Sequence, residues 1–169
     1  MNTASTNTAS TGTFAIGGDR PVHRLGYGAM QITGEGIWGP PADHDGALAV
    51  LRRAVELGVD FIDTADSYGP AVSEELIAEA LAPYPDGLVI ATKGGFLRPG
   101  PGKWNTDGRP EHLRAACEGS LTRLGLEQIS TGNHAINSIP YDGRPATIQD
   151  GFTITGDKHG ARWSTLNVE

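Results

Sequence analysis

Between Leu25 and Leu126, a strand-sized apolar segment and a helix-sized segment alternate three times. Because parallel strands need a crossover connection, usually a helix, this alternation is typical of βα units and a parallel sheet. The predicted strands are LGYGAM, VDFID and LVIAT, at residues 25–30, 59–63 and 88–92. The last of these is a continuous apolar run, as expected for a strand covered on both faces. The pattern therefore predicts an α/β fold with about three βα units.

Two of the predicted helices have clear start and stop signals. The helix after the first strand has Asp43 or Asp45 available as a cap and Gly58 just past its end. The helix after the third strand has Pro110 as its first residue and Gly125 as its stop. Both helices are therefore expected to cover the sheet.

The middle helix has its own signals. Ser73 stands in a good N-cap position, and Glu74 and Glu75 follow in the first turn, where carboxylates suit the helix dipole. Pro83 and Pro85 end the pattern. We expect a helix that begins directly after Ser73.

The character of the sequence changes near residue 130. A fourth strand is expected at about Glu127, but residues 130–169 show no amphipathic helical pattern and read as short strands and turns. Within them, FTIT and ARWSTLNV are predicted to form a β-hairpin. The polar residues 1–13 are predicted to be a disordered leader. The expected organisation is a leader at 1–13, a partial barrel at 14–129 and a β-rich appendage of unknown origin at 130–169.

Composition excludes several classes of partner. The net charge of −7 leaves no basic surface for nucleic acid or an anionic membrane. No run of about 18 apolar residues is present to span a bilayer. The single cysteine, Cys117, rules out an intramolecular disulfide and favours a reducing cytoplasm. Three βα units leave open sheet edges, so association into a homo-oligomer through those edges is expected to be possible.

Three polar side chains follow the predicted strands. Asp63 and Tyr68 come at and just after the end of the second strand, and Lys93 follows the third. In α/β barrels this end of the strands carries the active site. A tyrosine can act as a general acid when a nearby ammonium stabilises its phenolate, and a carboxylate keeps that lysine charged and oriented. Taken singly, each residue has a plainer interpretation, as a turn cap, a loop aromatic or a solvated strand end.

Four segments together resemble a known family. They are VHRLGYGAMQITG, FIDTADSYG, ATKGGF and RPEHLRAACEGSLTRLG, and they look like the N-terminal portion of the aldo/keto reductase superfamily. The sequence most resembles a bacterial branch whose first loop carries IWGPP, residues 37–41 here. The resemblance covers about residues 14–129. It implies part of a TIM-type (β/α)₈ barrel and NADPH-dependent reduction of an aldehyde or ketone.

The resemblance also implies roles for individual residues. Tyr68 corresponds to the general acid, Lys93 to the lysine beside it and Asp63 to the aspartate that orients the lysine. The floor of the NADPH site would be lined by four residues, Gly28, Ala29, Met30 and Asp63. Trp38 and Trp104 would stand in loops that edge the pocket of a small carbonyl substrate, although simple loop packing explains them equally well.

The chain departs from the family pattern after the third helix. The family has a histidine at the end of strand four, and His134 falls one place before the expected position. Because a one-residue slip turns a strand side chain to the opposite face, a surface or loop histidine is the better interpretation. Later strands that would complete the cofactor site are absent from the sequence. A truncated or recombined product that acts, if at all, as an interaction module is therefore the alternative.

One further histidine could suggest a metal. His44 lies between Asp43 and Asp45, but a helix start enriched in carboxylates explains this cluster more simply. No metal site is predicted.

Overall fold

The computed structural model describes residues 8–16, 20–126, 135–138, 147–148 and 152–153, the last three ranges as backbone strands. The strands and helices, in chain order, are β1 (Thr13–Ile16), β2 (Arg20–His23), β3 (Tyr27–Gly28), α1 (His44–Glu56), β4 (Phe61–Asp63), α2 (Val72–Leu81), β5 (Val89–Lys93), β6 (Phe96–Leu97), β7 (Asn105–Thr106), α3 (Pro110–Leu124), β8 (Ala135–Ser138), β9 (Thr147–Ile148) and β10 (Phe152–Thr153). Short 3₁₀ helices cover Thr8–Thr11 and Ala29–Ile32. None of the helices described here is long and apolar enough to cross a membrane.

The central sheet has four strands in the order β3-β4-β5-β8, and each neighbouring pair is parallel. In register, Gly28 pairs with Asp63, and Lys93 pairs with Ser138. Since the strands are parallel, their carboxyl ends meet at one edge of the sheet. The predicted α/β class is confirmed, and among the described residues the sheet does not close into a barrel, as expected for a partial one.

The three helices pack on one face of this sheet. Ile62 of β4 and Ile90 of β5 are fully buried against Leu51, Ile77 and Leu124 of the helices. Burial of each such side chain contributes about 1.5–3 kcal/mol relative to leaving it exposed. This layer holds β4 and β5 in place, and their carboxyl ends carry Asp63 and Lys93.

The outer two helices end as the sequence predicts. Asp43 caps α1, where its Oδ1 accepts a hydrogen bond from the Gly46 amide at 2.8 Å. Pro110 is the first residue of α3, and Gly125 ends it in the left-handed conformation, with φ of 65°. The first predicted strand is shorter than expected, because the chain turns into a 3₁₀ helix directly after Gly28.

The predicted cap of α2 is wrong. The N-cap is Ala71, which takes a positive φ of 71°, and Ser73 lies inside the helix with its side chain fully buried. The Ser73 hydroxyl donates to the Ala29 carbonyl at 3.1 Å and shares a 2.8 Å hydrogen bond with Thr64. Glu74, in the first turn of the helix as predicted, is fully buried as well. Tertiary contacts, rather than the local capping pattern, decide where these two side chains lie.

Both ends of the chain differ in part from expectation. Within the predicted leader, the Thr8–Thr11 turn packs on the end of α1: the Thr8 amide donates to Leu57 O at 3.2 Å, and the Thr8 hydroxyl donates to Gly58 O. The expected strand start at Glu127 lies outside the described residues, and β8 supplies the fourth parallel strand. Strand β10 pairs with β9, whereas the predicted partner, ARWSTLNV, lies outside the described residues.

Candidate active site

Asp63 and Lys93 form an ion pair at the carboxyl edge of the sheet. Lys93 Nζ donates to both carboxylate oxygens of Asp63, at 2.8 and 2.7 Å, and to the Thr64 carbonyl at 2.9 Å. The side chains of Lys93 and Asp63 are 24% and 34% exposed, so solvent reaches the pair. The neighbouring strands β4 and β5 place both residues, as the sequence predicts, and the ammonium is held by three oxygens.

Tyr68 lies over this ion pair. Lys93 Nζ is 5.0 Å from the centroid of the Tyr68 ring, a cation–π contact, and Tyr68 is only 8% exposed. The turn that presents it depends on Gly69, which has φ of 108° and would place an added Cβ 2.4 Å from Val72 Cβ. The acid, phenol and amine predicted from sequence are therefore brought together. The arrangement places a positive charge beside the phenol, as a tyrosine general acid requires.

Trp38 and Trp104 both contact an arginine that sequence analysis did not single out. The Arg98 guanidinium carbon is 3.5 Å from the Trp104 ring centroid and 5.4 Å from that of Trp38. Arg98 Nη1 donates to the Ser67 carbonyl at 2.8 Å, next to Tyr68. Both tryptophans thus lie near the candidate site. Arg98 has no periodic signature, and its only sequence signal is its place in the same loop as Trp104.

The residues predicted to line the cofactor floor differ in accessibility. A Cβ added at Gly28, which pairs with Asp63, would meet nothing within 4 Å, and Met30 is partly exposed. Ala29 is fully buried in the core, and its carbonyl accepts the Ser73 hydroxyl. Gly28, Met30 and Asp63 therefore border open space, whereas Ala29 could reach a ligand only through its backbone; its cofactor role stays a prediction.

A buried polar cluster lies behind the site. Glu74 Oε2 accepts from Arg123 Nε at 2.6 Å, and its other oxygen accepts from the Thr92 hydroxyl. Burial, and then the nearby charge of Glu74, raise the pKa of Asp66 to about 6. Asp66 Oδ1 is buried without a hydrogen-bond partner among the described residues. The helical pattern did not reveal this cluster, because its members come from separate elements.

The remaining sequence candidates lie elsewhere. His44 Nε2 is 3.0 Å from Glu79 Oε2, and no group of three or more possible metal ligands occurs in the described ranges. His134 lies outside the described residues. In register, Lys93 pairs with Ser138 of β8.

Comparison with known proteins identifies the family to which this architecture belongs. The model of the aldo/keto reductase family matches residues 24–131. The chain is 50% identical over 126 residues to the uncharacterized oxidoreductase C215.11c of Schizosaccharomyces pombe, covering 75% of this chain and 40% of that protein. It is 46% identical over 124 residues to pyridoxine 4-dehydrogenase of Escherichia coli, covering 73% and 43%.

A solved structure leads to the same assignment. The glycerol dehydrogenase AKR11B4 of Gluconobacter oxydans is 33% identical, with a TM-score of 0.63, over 84% of this chain and 42% of that one. The chain spans about two fifths of the length of these relatives. Because the family model covers the segment that holds Asp63, Tyr68 and Lys93, the protein belongs to the aldo/keto reductase family.

Proposed function

We propose that this protein is an oxidoreductase that reduces an aldehyde or ketone with NADPH, with Tyr68 as the proton donor. The observation that carries the proposal is the position of Lys93 Nζ, which contacts both Asp63 oxygens and faces the Tyr68 ring at 5.0 Å. A lysine held in this way supplies a fixed positive charge beside a phenol.

Each residue has a defined task in this reaction. Tyr68 donates its phenolic proton to the carbonyl oxygen of the substrate. Lys93 stabilises the phenolate left on Tyr68, and Asp63 keeps the ammonium charged and directed. NADPH, when bound, supplies the hydride that reaches the carbonyl carbon. The product is the alcohol, and the Tyr68 phenolate regains its proton from water.

The described residues fit one side of a nicotinamide site. The open space at Gly28 lies next to Asp63 in register, and Met30 borders it. A glycine at such a point allows a flat ring to approach the backbone closely. These residues would hold the nicotinamide end near Tyr68. NADPH is the cofactor that the family resemblance implies.

The substrate is proposed to be a small carbonyl compound that enters beside Trp38 and Trp104. Two of the reported relatives are named as dehydrogenases, of pyridoxine and of glycerol. Both aromatic side chains lie around Arg98, whose Nη1 is bonded to the residue before Tyr68. We therefore place the substrate mouth at these tryptophans.

One observation favours a second candidate, a catalytically incomplete protein that serves as an interaction module. Strands β3 and β8 are the edge strands of the described sheet. Edge strands present unpaired backbone groups that can accept another strand. In this case the site residues would persist without turnover, and pairing between copies would cover the edges.

NADPH titration of the purified chain separates the two candidates. Binding would be followed by tryptophan quenching and energy transfer, and turnover by carbonyl-dependent NADPH oxidation. We expect Tyr68→Phe to abolish oxidation without loss of binding. The control is Tyr84→Phe, because the Tyr84 hydroxyl donates to Leu124 O at 2.7 Å on the helix side of the sheet. A folded sample that binds no NADPH at about 1 mM, the upper end of usual KM values, would overturn the reductase proposal.

A further inference from the structure

Arg98 connects two loops at the candidate substrate mouth. Its Nη1 donates to the carbonyl of Ser67, the residue before Tyr68, at 2.8 Å. Its Nε donates to the Lys103 carbonyl at 3.1 Å, which closes the loop between β6 and β7. One side chain therefore ties the turn that carries Tyr68 to the loop that carries Trp104.

The guanidinium also holds the loop after β3. Its carbon is 3.5 Å from the Trp104 ring centroid and 5.4 Å from the Trp38 centroid, and Trp104 contacts Phe96 edge-on at 5.6 Å. The Trp38 loop reaches the same turn through its backbone, because the Gly39 amide donates to Gly69 O at 2.5 Å. Both tryptophans are thus fixed around the turn that presents Tyr68.

The charge of Arg98 is not used in an ion pair within the described residues. Burial lowers the pKa of its guanidinium, and Nη2 has no hydrogen-bond partner there. Only a planar guanidinium can stack on an aromatic face and donate to two backbone carbonyls at once. The geometry, rather than the charge alone, is what this position requires.

We propose that Arg98 is a positioning residue that sets the place of Tyr68 relative to the Asp63–Lys93 pair and to the two tryptophans. Its part in turnover rests on the proposed function, since Tyr68 is the residue that donates the proton. Its effect on the burial of Tyr68 does not rest on it. The loss of Arg98 releases the Ser67 carbonyl and both indole rings, and Tyr68 becomes more accessible while the sheet is retained.

The test uses three variants of the full chain. Arg98→Met removes the donors and the planar group, and Arg98→Lys keeps the charge with a single ammonium. Arg52→Met is the matched control, because Arg52 Nε also donates to a backbone carbonyl, that of Ala80 at 3.2 Å, but between α1 and α2. Circular dichroism and urea unfolding establish that each variant is folded.

The first readout needs no activity. Nitration of Tyr68 by tetranitromethane is followed by tandem mass spectrometry, with Tyr84 as the internal reference, and tryptophan emission is recorded on the same samples. We expect Tyr68 to react about tenfold faster in Arg98→Met, as an opening made about 1.4 kcal/mol easier would produce. The rate of Tyr68 nitration in Arg98→Lys should lie between those of Arg98→Met and the wild type, and the rate in Arg52→Met should equal that of the wild type. Equal Tyr68 nitration in folded Arg98→Met and wild type would overturn the proposal.

The second readout applies to turnover. Arg98→Met should lower kcat by roughly 10- to 100-fold, the usual consequence of misplacing a reacting group by about 1 Å, while the Kd for NADPH stays within about twofold. A loss confined to NADPH binding would contradict a positioning role. If the wild type shows no turnover, the proposed function fails, and the nitration result still decides whether Arg98 positions Tyr68.

Discussion

Two ion pairs lie on opposite faces of strand β5 and differ in the burial of their carboxylates, whereas their cations, Lys93 and Arg123, are 24% and 23% exposed. Lys93 pairs with Asp63 at the open edge of the sheet, where the two side chains are 24% and 34% exposed. The adjacent residue, Thr92, points to the helix side and donates to Glu74, whose carboxylate is fully buried and is paired with Arg123. Successive side chains along β5 point to opposite faces of the sheet. Lys93 therefore joins an accessible pair with Asp63, whereas Thr92 contacts the enclosed pair, named for the buried carboxylate of Glu74.

The difference shows how a fold assigns tasks to the same chemical groups. The enclosed pair joins α2 to α3, and a carboxylate without its partner there would be a buried charge. The accessible pair contributes little to stability, because water can replace either partner. We therefore expect damage to the enclosed pair to appear in unfolding, and damage to the accessible pair to appear in turnover.

The largest effect on stability is expected for Arg123→Met. This change leaves the Glu74 carboxylate buried with only the Thr92 hydroxyl, and the free energy of unfolding should fall by about 3–5 kcal/mol. Urea unfolding measures it. The control is Arg53→Met, which breaks an exposed pair with Glu56 and should change the free energy by no more than about 0.5 kcal/mol. Similar losses in both variants would show that the burial of Glu74 does not matter.

Damage to the accessible pair should lower activity strongly and stability little. Lys93→Met removes the charge beside Tyr68, and NADPH-dependent carbonyl reduction should fall by about 10²–10⁴-fold. The free energy of unfolding should change by no more than about 1 kcal/mol, because the pair is partly exposed. Arg53→Met, at an exposed position on α1, is the control and should keep full activity. A large loss of stability in Lys93→Met would erase the contrast between the two pairs.

Asp66 lies near Glu74 of the enclosed pair, and its titration makes the free energy of unfolding depend on pH. Its pKa is raised from 3.8 to about 6 in the folded protein, first by burial and then by Glu74. The folded state therefore binds the Asp66 proton more tightly than the unfolded state does, so this contribution to stability is lost as pH rises from about 4 to about 6. Replacing Asp66 by Asn should remove that loss, which is about 2–3 kcal/mol.

The measurement for Asp66→Asn is the difference in unfolding free energy between variant and wild type at pH 4.5 and at pH 7.5. The unfolding free energy of the variant should increase relative to that of the wild type as pH rises. Asp86→Asn is the matched control, because it makes the same substitution at an exposed position. A pH-independent difference for Asp66→Asn would contradict the raised pKa.

The smallest effect tests the corrected start of α2. Ser73→Ala removes the hydroxyl that donates to Ala29 O and bonds Thr64, and should cost about 1–3 kcal/mol in urea unfolding. Thr122→Ala, which removes an exposed hydroxyl on α3, should cost less than about 0.5 kcal/mol. Ser73→Asp distinguishes Ser73 as a helix cap from Ser73 as a buried residue. An aspartate at the N-cap stabilises a helix, but at the observed position it would be a buried charge. Equal or higher stability of Ser73→Asp would support the cap.

Much of the fold was predictable because its signals are local. The three helices, the Asp43 and Gly125 caps, and the buried run of β5 follow from patterns within a few residues. The prediction failed at Ser73, where a capping residue is used for a long-range hydrogen bond. The pattern of Ser73 and Glu74 is correct for a helix start, but local propensity yields to the packing of α2 against the sheet.

The candidate site, like the fold, could be predicted only in part from the sequence. Asp63, Tyr68 and Lys93 could be chosen from sequence because each follows a predicted strand, and parallel strands bring such positions together. Arg98 could not be chosen, since its partners Ser67, Trp38 and Trp104 share no spacing with it. Its role depends on where three loops meet, and loop paths carry no periodic signal.

By itself, the sequence determined the alternation of three parallel strands with three helices, the family, and the strand-end positions of the acid, the phenol and the amine. The tertiary structure alone decided which charged groups are enclosed and which are accessible, because Glu74 and Arg123 are 49 residues apart and meet only when α2 packs against α3. The physical reason is that periodicity reports the face on which a residue lies, whereas burial and pairing depend on what packs against that face.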